Sequence, residues 1–204
     1  MSDGLTAQLK SPLKQRVDCS AVLTASWTTL TAHELAGRTV ELERDGRVPL
    51  GDLFEVTGNA AGRVRFTGDL SQVDRLAAGL SEGMVTVEGN LGHEAGMGMA
   101  AGALVIEGNA GERTGAAAPG FKRGMTGGEL IVRGSAGADA GASMRRGLLV
   151  IGGSAGERAG LNMIAGNIVV FGAAGADAGL WSKRGSIAAL GGITPPATFS
   201  LHRA

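Results

Sequence analysis

Three pairs of adjacent cations are the residues best suited to bind a ligand, and each pair directly precedes a glycine: Lys122-Arg123, Arg145-Arg146 and Lys183-Arg184. Guanidinium groups take carboxylates through two parallel hydrogen bonds, and several cations acting together hold a polyanion. Because the formal net charge of the chain is zero, such a cluster is local and does not indicate a generally basic surface. The six residues are therefore candidate contacts of an anionic ligand. A solvated face, or ion pairs to a partner subunit, is the alternative.

The common catalytic and metal-binding patterns are missing from the sequence. The three histidines, His33, His93 and His202, are far apart, and none has the spacing of a metal pair. A single cysteine, Cys19, excludes an internal disulfide framework and any cysteine-only zinc or iron–sulfur site. Gly96-Met-Gly98 superficially resembles a phosphate loop, but no Lys-Ser or Lys-Thr pair follows it. We expect no catalytic residue and no metal ligand in this chain.

Composition narrows the class of protein further. Of the 204 residues, 44% are hydrophobic and 36 are glycine. A hydrophobic fraction this large, together with a net charge of zero, is not typical of a disordered chain. The charge balance also argues against nucleic-acid and membrane-surface binding. No apolar stretch is long enough to span a bilayer or to serve as a signal region, so we expect a soluble cytoplasmic protein.

A regular repeat accounts for most of the glycines. Four glycines precede Gly58, and the other 32 of the 36 lie from there to the C-terminus. Equivalent glycines recur in steps of 19 residues, except for one step of 26 that contains seven extra residues: Gly83, Gly102, Gly128, Gly147, Gly166 and Gly185. A fixed short period of this kind is typical of stacked repeat architectures.

Each repeat contains one short apolar run bounded by glycines, which predicts a buried strand. The runs are Val85–Val87, Leu104–Ile106, Leu130–Val132, Leu149–Ile151 and Ile168–Val170. Glycines between the runs predict tight corners, among them Gly137, Gly156 and Gly175. The expected fold class is all-β: a right-handed parallel β-helix solenoid of about six or seven coils, preceded by a small N-terminal cap.

Two further patterns predict what each repeat shows to its surroundings. The middle residue of each strand should point away from the core, and these form an apolar stripe suited to a partner: Thr86, Val105, Ile131, Val150 and Val169. Eleven residues after the first glycine of each repeat, charges alternate in sign: Glu94, Arg113, Asp139, Arg158 and Asp177. If repeats stack, opposite charges become neighbours.

The N-terminal part of the chain, residues 1–57, carries no repeat. Residues 5–10 and 39–43 predict short strands, and residues 32–35 predict a helical turn between them. The segment Gly51-Asp-Leu-Phe-Glu-Val-Thr-Gly58 predicts the strand that leads into the repeats. We therefore expect an N-terminal cap segment over residues 1–57, a glycine-rich β-helix over 58–191 and a C-terminal tail over 192–204.

The repeat, the segment Gly51–Gly58 and the motif Met-Arg-Arg-Gly147 together resemble the C subunit of formylmethanofuran dehydrogenase and of its bacterial relative, the formyltransferase/hydrolase complex. The glycine-rich unit is also similar to the C-terminal domain of the glutamate synthase large subunit. The resemblance implies a scaffold without an active site of its own, whose partners, the A, B and D subunits, hold the metals.

The function implied by this resemblance is a structural role in one-carbon transfer. The complex would convert formyl-tetrahydromethanopterin to formate through a formyl-furan carrier of the methanofuran or methylofuran type. The anionic tail of that carrier is the ligand we expect at Lys122, Arg123, Arg145, Arg146, Lys183 and Arg184. The alternatives are the same role in a tungsten or molybdenum formylmethanofuran dehydrogenase, and a stand-alone β-helix or glutamate-synthase-like accessory domain.

Overall fold

The computed structural model describes residues 4–24, 26–59 and 61–200. Two short α-helices, α1 (Ala32–Ala36) and α2 (Leu50–Leu53), and a 3-10 helix (Trp27–Thr29) lie in the first part of the chain. The strands of the described residues are β1 (Leu5–Leu9), β2 (Val17–Asp18), β3 (Thr39–Leu42), β4 (Gly46–Pro49), β5 (Phe54–Gly58), β6 (Arg63–Thr67), β7 (Val73–Asp74), β8 (Met84–Glu88), β9 (Ala103–Ile106), β10 (Thr126–Val132), β11 (Arg146–Ile151), β12 (Asn167–Val170) and β13 (Ser186–Ala189).

The larger sheet contains nine strands in the order β13-β12-β11-β10-β9-β8-β6-β1-β5. Strands from successive repeats pair in parallel, and the apolar runs keep one register, so that Leu104 pairs with Leu130 and Leu130 pairs with Leu149. The register of β10 with β11 shifts only between Thr126 and Glu129. Strand β1, from the N-terminal segment, pairs in parallel with β6 and antiparallel with β5. The sheet is therefore mixed. A smaller sheet has the order β4-β3-β2-β7.

The remainder of each repeat consists of turns. Single parallel bridges join one residue per repeat, for example Ala110 to Ala136 and Ala136 to Ala155. In the repeat that begins at Gly83, Glu94, Gly96 and Gly98 have φ values of 58°, 61° and 66°. Left-handed residues at every second position close consecutive turns, and an extended strand cannot form there.

The prediction of an all-β right-handed parallel β-helix with an N-terminal cap is wrong. The described residues form a mixed nine-stranded sheet and a four-stranded sheet, with no closed solenoid. The physical reason is that only one run per repeat has strand-forming residues, whereas the glycine- and alanine-rich remainder turns. The N-terminal part of the chain supplies β1 and β5, which continue the larger sheet as its last two strands. The division of the chain at residues 57 and 191 remains a proposal.

Several local predictions are confirmed. Strands β1 and β3 and helix α1 lie where the sequence predicts them, and the strand predicted over 51–58 begins at Phe54 because α2 ends at Leu53. Apart from these predictions, the structure shows that Met99, Met144 and Met163, which hold equivalent positions in their repeats, are buried in the core.

The predicted corner glycines are crowded. A Cβ atom on Gly156 would lie 2.6 Å from the backbone nitrogen of Ala138. At Gly137 and Gly175 the nearest backbone atoms would be 2.7 and 2.9 Å away. Other residues of the turns, among them Glu94 and Arg158, have positive φ values.

Candidate functional site

Three of the six predicted cations surround one depression at the start of β10 and β11. Thr126, the first residue of β10, pairs with Arg146, the first residue of β11. An open depression of about 330 Å³ is lined by Arg123, Thr126, Arg145 and Arg146. The pairing of β10 with β11 and the folding of the insertion thus bring cations from the end of one repeat and from the inserted residues to one place. We call the full set of six residues the basic cluster: Lys122, Arg123, Arg145, Arg146, Lys183 and Arg184.

The seven-residue insertion reaches this depression because both of its ends are tied to the following repeat. Ala117 donates its backbone N–H to Ala142 at 3.1 Å, and Gly124 donates to Ser143 at 2.8 Å. Between these points the chain turns, with a backbone hydrogen bond of 2.9 Å from Phe121 to Ala118. Lys122 and Arg123 are exposed on this loop.

Lys183 and Arg184 lie farther along the same row of the molecule. The backbone N–H of Arg145 donates to Met125, that of Ile164 to Met144 and that of Lys183 to Met163, each at 2.8 Å. Lys183 is therefore two repeats beyond Arg145, or about 10 Å at the usual spacing of paired strands. The structure brings Arg123, Arg145 and Arg146 together and places Lys183 and Arg184 apart from them.

No member of the basic cluster forms an ion pair within the part of the chain that the structure describes. Five of the six are exposed, and Arg145 is half-buried. Ion pairs do form at other arginines: Arg16, Arg47, Arg65, Arg75, Arg113, Arg133 and Arg158. The cluster therefore holds cations whose charge is not compensated by the described residues.

A second charged region links the turns of successive repeats. Glu94 accepts hydrogen bonds from Arg75 Nε at 2.6 Å and from Arg113 Nε at 3.0 Å. Asp139 accepts from Arg158 Nε at 2.8 Å. The alternation of charge predicted from the sequence thus produces ion pairs between repeats at Glu94–Arg113 and at Asp139–Arg158. Asp177, the last charge of the predicted series, forms no ion pair among the described residues. We call this set the charge ladder: Asp18, Arg75, Glu94, Arg113, Asp139 and Arg158.

Two members of the charge ladder were missed by sequence reasoning. Arg75 stands 19 residues before Glu94, so the repeat period could have identified it. Asp18, which accepts from Arg75 Nη1 at 2.8 Å, comes from β2 and has no such signal. The ladder is interrupted at the insertion, where Arg113 Nη2 donates to the carbonyl oxygen of Ala117 at 2.7 Å.

The ion pairs of the ladder perturb the pKa of its buried carboxylate. Burial by itself raises the pKa of Glu94, but hydrogen bonds from Arg75 and Arg113 outweigh burial and hold that pKa below its usual range. The hydrogen bond to Glu94 likewise raises the pKa of Arg75. Both groups therefore stay charged at neutral pH.

A cavity of about 370 Å³ beside the ladder contains residue types that could do acid–base chemistry, including His93, Asp74 and Glu94. Its charged groups are largely paired with one another. Arg16 Nη1 lies 2.6 Å from Asp74, and His93 Nδ1 accepts the backbone N–H of Glu112 at 3.0 Å. These contacts give the residues a structural role.

Cys19 is buried, and burial raises the pKa of its thiol. Among the described residues there is no group of three or more histidine, cysteine or acidic side chains arranged to hold a metal ion. His202 lies outside the described residues. No helix in the described ranges is long and apolar enough to cross a membrane.

The chain is similar to a curated protein and to a chain of a solved structure. No family model matches the sequence. The C subunit of the formyltransferase/hydrolase complex Fhc of Methylorubrum extorquens is 35% identical over 87 residues, which cover 43% of this chain and 32% of that protein. The match thus spans about a third of the curated relative's length.

The structural similarity extends much further along the chain. A chain in the crystal structure of the formyltransferase/hydrolase complex (FhcABCD) from Methylorubrum extorquens, in complex with methylofuran, superposes with a TM-score of 0.72 at 32% identity. The superposition covers 95% of this chain and 79% of that chain. The resemblance based on the repeat is therefore confirmed, and the chain belongs to the family of the C subunit of the formyltransferase/hydrolase complex.

Proposed function

We propose that this chain is a non-catalytic scaffold subunit of a formyltransferase/hydrolase complex that converts formyl-tetrahydromethanopterin to formate through a formyl-furan carrier. The observation that carries this proposal is the similarity over 95% of the chain to a chain of the FhcABCD complex. The pairing of the charged groups in the cavity beside His93 supports a structural role for that region. The A, B and D subunits are the proposed partners.

The similarity of this chain to two proteins of the formyltransferase/hydrolase complex favours that complex over a formylmethanofuran dehydrogenase or a stand-alone protein. Purification of the complex from its native source, followed by metal analysis, tests this choice. Tungsten or molybdenum in stoichiometric amount would favour a formylmethanofuran dehydrogenase. Elution of the chain without partner subunits would favour a stand-alone protein.

The basic cluster is the proposed site for the carboxylate-rich tail of the carrier. The solved relative is in complex with methylofuran, which supports a carrier contact in this family. In this chain, the guanidinium groups of Arg123, Arg145 and Arg146 line one open depression and have no acidic partner among the described residues. Arginine can take a carboxylate in a bidentate manner there.

Several cations must act together for this site to hold the tail. An exposed ion pair contributes only about 0.2 to 1 kcal/mol, so one pair alone is too weak. Lys183 and Arg184, two repeats beyond Arg145, would extend the contact along an elongated anion. A tail held in this way would raise the local concentration of the reactive end of the carrier near the partner subunits.

The test is to replace Arg123 and Arg145 with alanine in the assembled complex. Carrier content of the purified complex should fall, and it should fall further as salt is added, because exposed charge interactions are screened. The matched control is Arg65→Ala with Arg133→Ala. It removes the same charge, but those guanidinium groups already pair with Glu88 at 2.6 Å and Glu107 at 3.0 Å. Unchanged carrier content and turnover in an intact complex would refute the proposed site.

A further inference from the structure

The outward face of the larger sheet differs in character between its two halves. Toward the N-terminal side it carries charges that pair across strands, with Arg65 on Glu88 at 2.6 Å and Arg133 on Glu107 at 3.0 Å. Across β11, β12 and β13, from Leu148 onward, the outward positions carry no charge. These positions are Leu148, Val150, Asn167, Val169, Phe171, Ser186, Ala188 and Leu190.

Apolar side chains on this uncharged part are adjacent, with valines that are half-buried within the strands and larger side chains that are exposed just beyond them. Val150, a member of the predicted outward stripe, pairs with Val169, and Val169 pairs with Ala188. Just beyond these strands Phe171 is 55% exposed and Leu190 is 72% exposed. Contiguous exposed apolar surface of this kind marks interaction sites, and aromatic residues are common at the centre of protein interfaces. We call Leu148, Val150, Val169, Phe171 and Leu190 the apolar face.

Cations at the margin of the apolar face indicate the charge that a partner surface must carry. Arg146 lies two residues before Leu148 in β11, on the same side of the strand, and it is exposed. Lys183 and Arg184 stand just before β13 and are also exposed. The surface therefore has an apolar centre and, among the described residues, an unpaired cationic margin at the starts of the strands. Its electrostatic complement is a protein surface with an apolar centre and carboxylates along the facing margin.

We propose that the apolar face docks another subunit of the formyltransferase/hydrolase complex, through a surface that is apolar at its centre and acidic opposite Arg146 and Arg184. This inference rests on the proposed function. Arg146 and Arg184 belong to both the margin and the proposed carrier site, so variants of these two residues do not separate docking from carrier binding, whereas the apolar centre has no use in holding a carboxylate tail. Variants of the apolar centre therefore test the docking alone.

The experiment is co-expression of the full chain with the A, B and D subunits, followed by measurement of its incorporation into the purified complex. Phe171→Glu and Leu190→Glu are each expected to weaken incorporation about tenfold or more, because each places a charge in a buried apolar contact. The matched control is Met84→Glu. Met84 is on the same face and is 40% exposed, but it belongs to β8 in the charged half.

A footprinting measurement on the unmodified complex does not depend on the folding of any variant. Hydroxyl-radical oxidation of Phe171 and Leu190 should fall on assembly, whereas oxidation of Met84 should not. Assembly of both Glu variants at normal stoichiometry, or unchanged oxidation of the apolar face, would overturn the inference and leave the proposed function intact. If the wild-type chain does not assemble with the A, B and D subunits, the proposed function fails and the docking fails with it.

Two other occupants are separate outcomes that would also overturn the inference. A second copy would appear as a dimer of the isolated chain by light scattering, and Phe171→Glu would make it monomeric. A lipid surface would appear as co-sedimentation of the isolated chain with vesicles of anionic phospholipid, lost in Leu190→Glu.

Discussion

The charge ladder and the basic cluster use the same residue type in opposite ways. In the ladder, the guanidinium groups of Arg75 and Arg113 meet Glu94, and that of Arg158 meets Asp139. In the basic cluster, the cations also recur between repeats, but they have no acidic partner among the described residues. Repetition in the sequence therefore does not by itself tell whether a cation supports the fold or meets a ligand.

The difference follows from where each region sits in the repeat. Residues of the ladder occupy turns in which successive repeats bring opposite charges together, and Glu94 is held at a φ of 58° that a non-glycine residue adopts at a cost. The neighbours of the basic cluster in the same row are Thr126 and Ile164, which offer no charge. The ladder is thus expected to contribute stability, and the cluster is expected to contribute binding.

The largest expected effect comes from separating the stacked turns of the ladder. Gly156→Ala should destabilise the chain by about 3 kcal/mol, because the new Cβ meets the backbone of the preceding repeat and cannot be accommodated by side-chain movement. The first contacts are Ala138 N at 2.6 Å and Gly137 C at 2.8 Å. Urea denaturation followed by circular dichroism measures the change.

Gly37→Ala is the matched control, since it makes the same chemical change at the end of α1. There the nearest atoms are carbonyl oxygens at 3.5 Å, and φ is −76°. It should be neutral or slightly stabilising, within about 1 kcal/mol. Equal stability of the two variants would mean that the turns of the ladder are not tightly stacked.

The next effect comes from removing the carboxylate at the centre of the ladder. Glu94→Ala should destabilise by about 2 kcal/mol, because two arginines lose their shared partner. Glu94→Gly removes the same carboxylate but relieves the positive φ, so it should be less destabilising than the alanine variant by about 1 kcal/mol. If the glycine and alanine variants unfold at the same urea concentration, backbone strain at this position has no measurable cost.

The pH dependence of stability provides an independent check on Glu94. Its pKa in the folded chain lies below the ordinary value because hydrogen bonds from Arg75 and Arg113 outweigh the effect of burial. Its contribution to stability is therefore present above the unfolded pKa of about 4.3, and it is lost as the pH falls through the lower folded-state pKa. The stability difference between wild type and Glu94→Ala should shrink as the pH is lowered below about 4.3. A difference that does not change with pH would contradict the ion-paired role.

The smallest expected effect on stability comes from removing cations of the basic cluster. Arg146→Ala and Arg184→Ala should each change the free energy of unfolding by no more than about 0.5 kcal/mol, because the exposed side chains lack partners among the described residues. Arg158→Ala in the ladder should cost more, since Arg158 bonds both carboxylate oxygens of Asp139 at 2.8 and 3.1 Å. If Arg146→Ala destabilises as much as Arg158→Ala, the two regions do not differ in the way proposed.

Much of the local structure could be predicted from residue pattern alone. The apolar run of each repeat predicts a strand, and the repeat period predicts that Leu104 lies beside Val85. The same period predicts the neighbours Glu94 and Arg113. In each case the regular spacing places equivalent positions of successive repeats next to each other, so the contacts between repeats follow from the sequence.

The contacts of the segments outside the repeat do not follow from the repeat period, and only the tertiary structure shows them. Strand β1 is distant in sequence from both β5 and β6, and its place between them depends on a long-range pairing that has no local signal. The same is true of Asp18, which reaches Arg75 from the N-terminal segment, and of the depression at Arg123, which exists because the insertion folds back onto the next repeat. Local composition determines strands, turns and repeat contacts because it acts over a few residues. Burial and hydrogen bonding across the whole fold decide which non-repeating segments pack against the repeats.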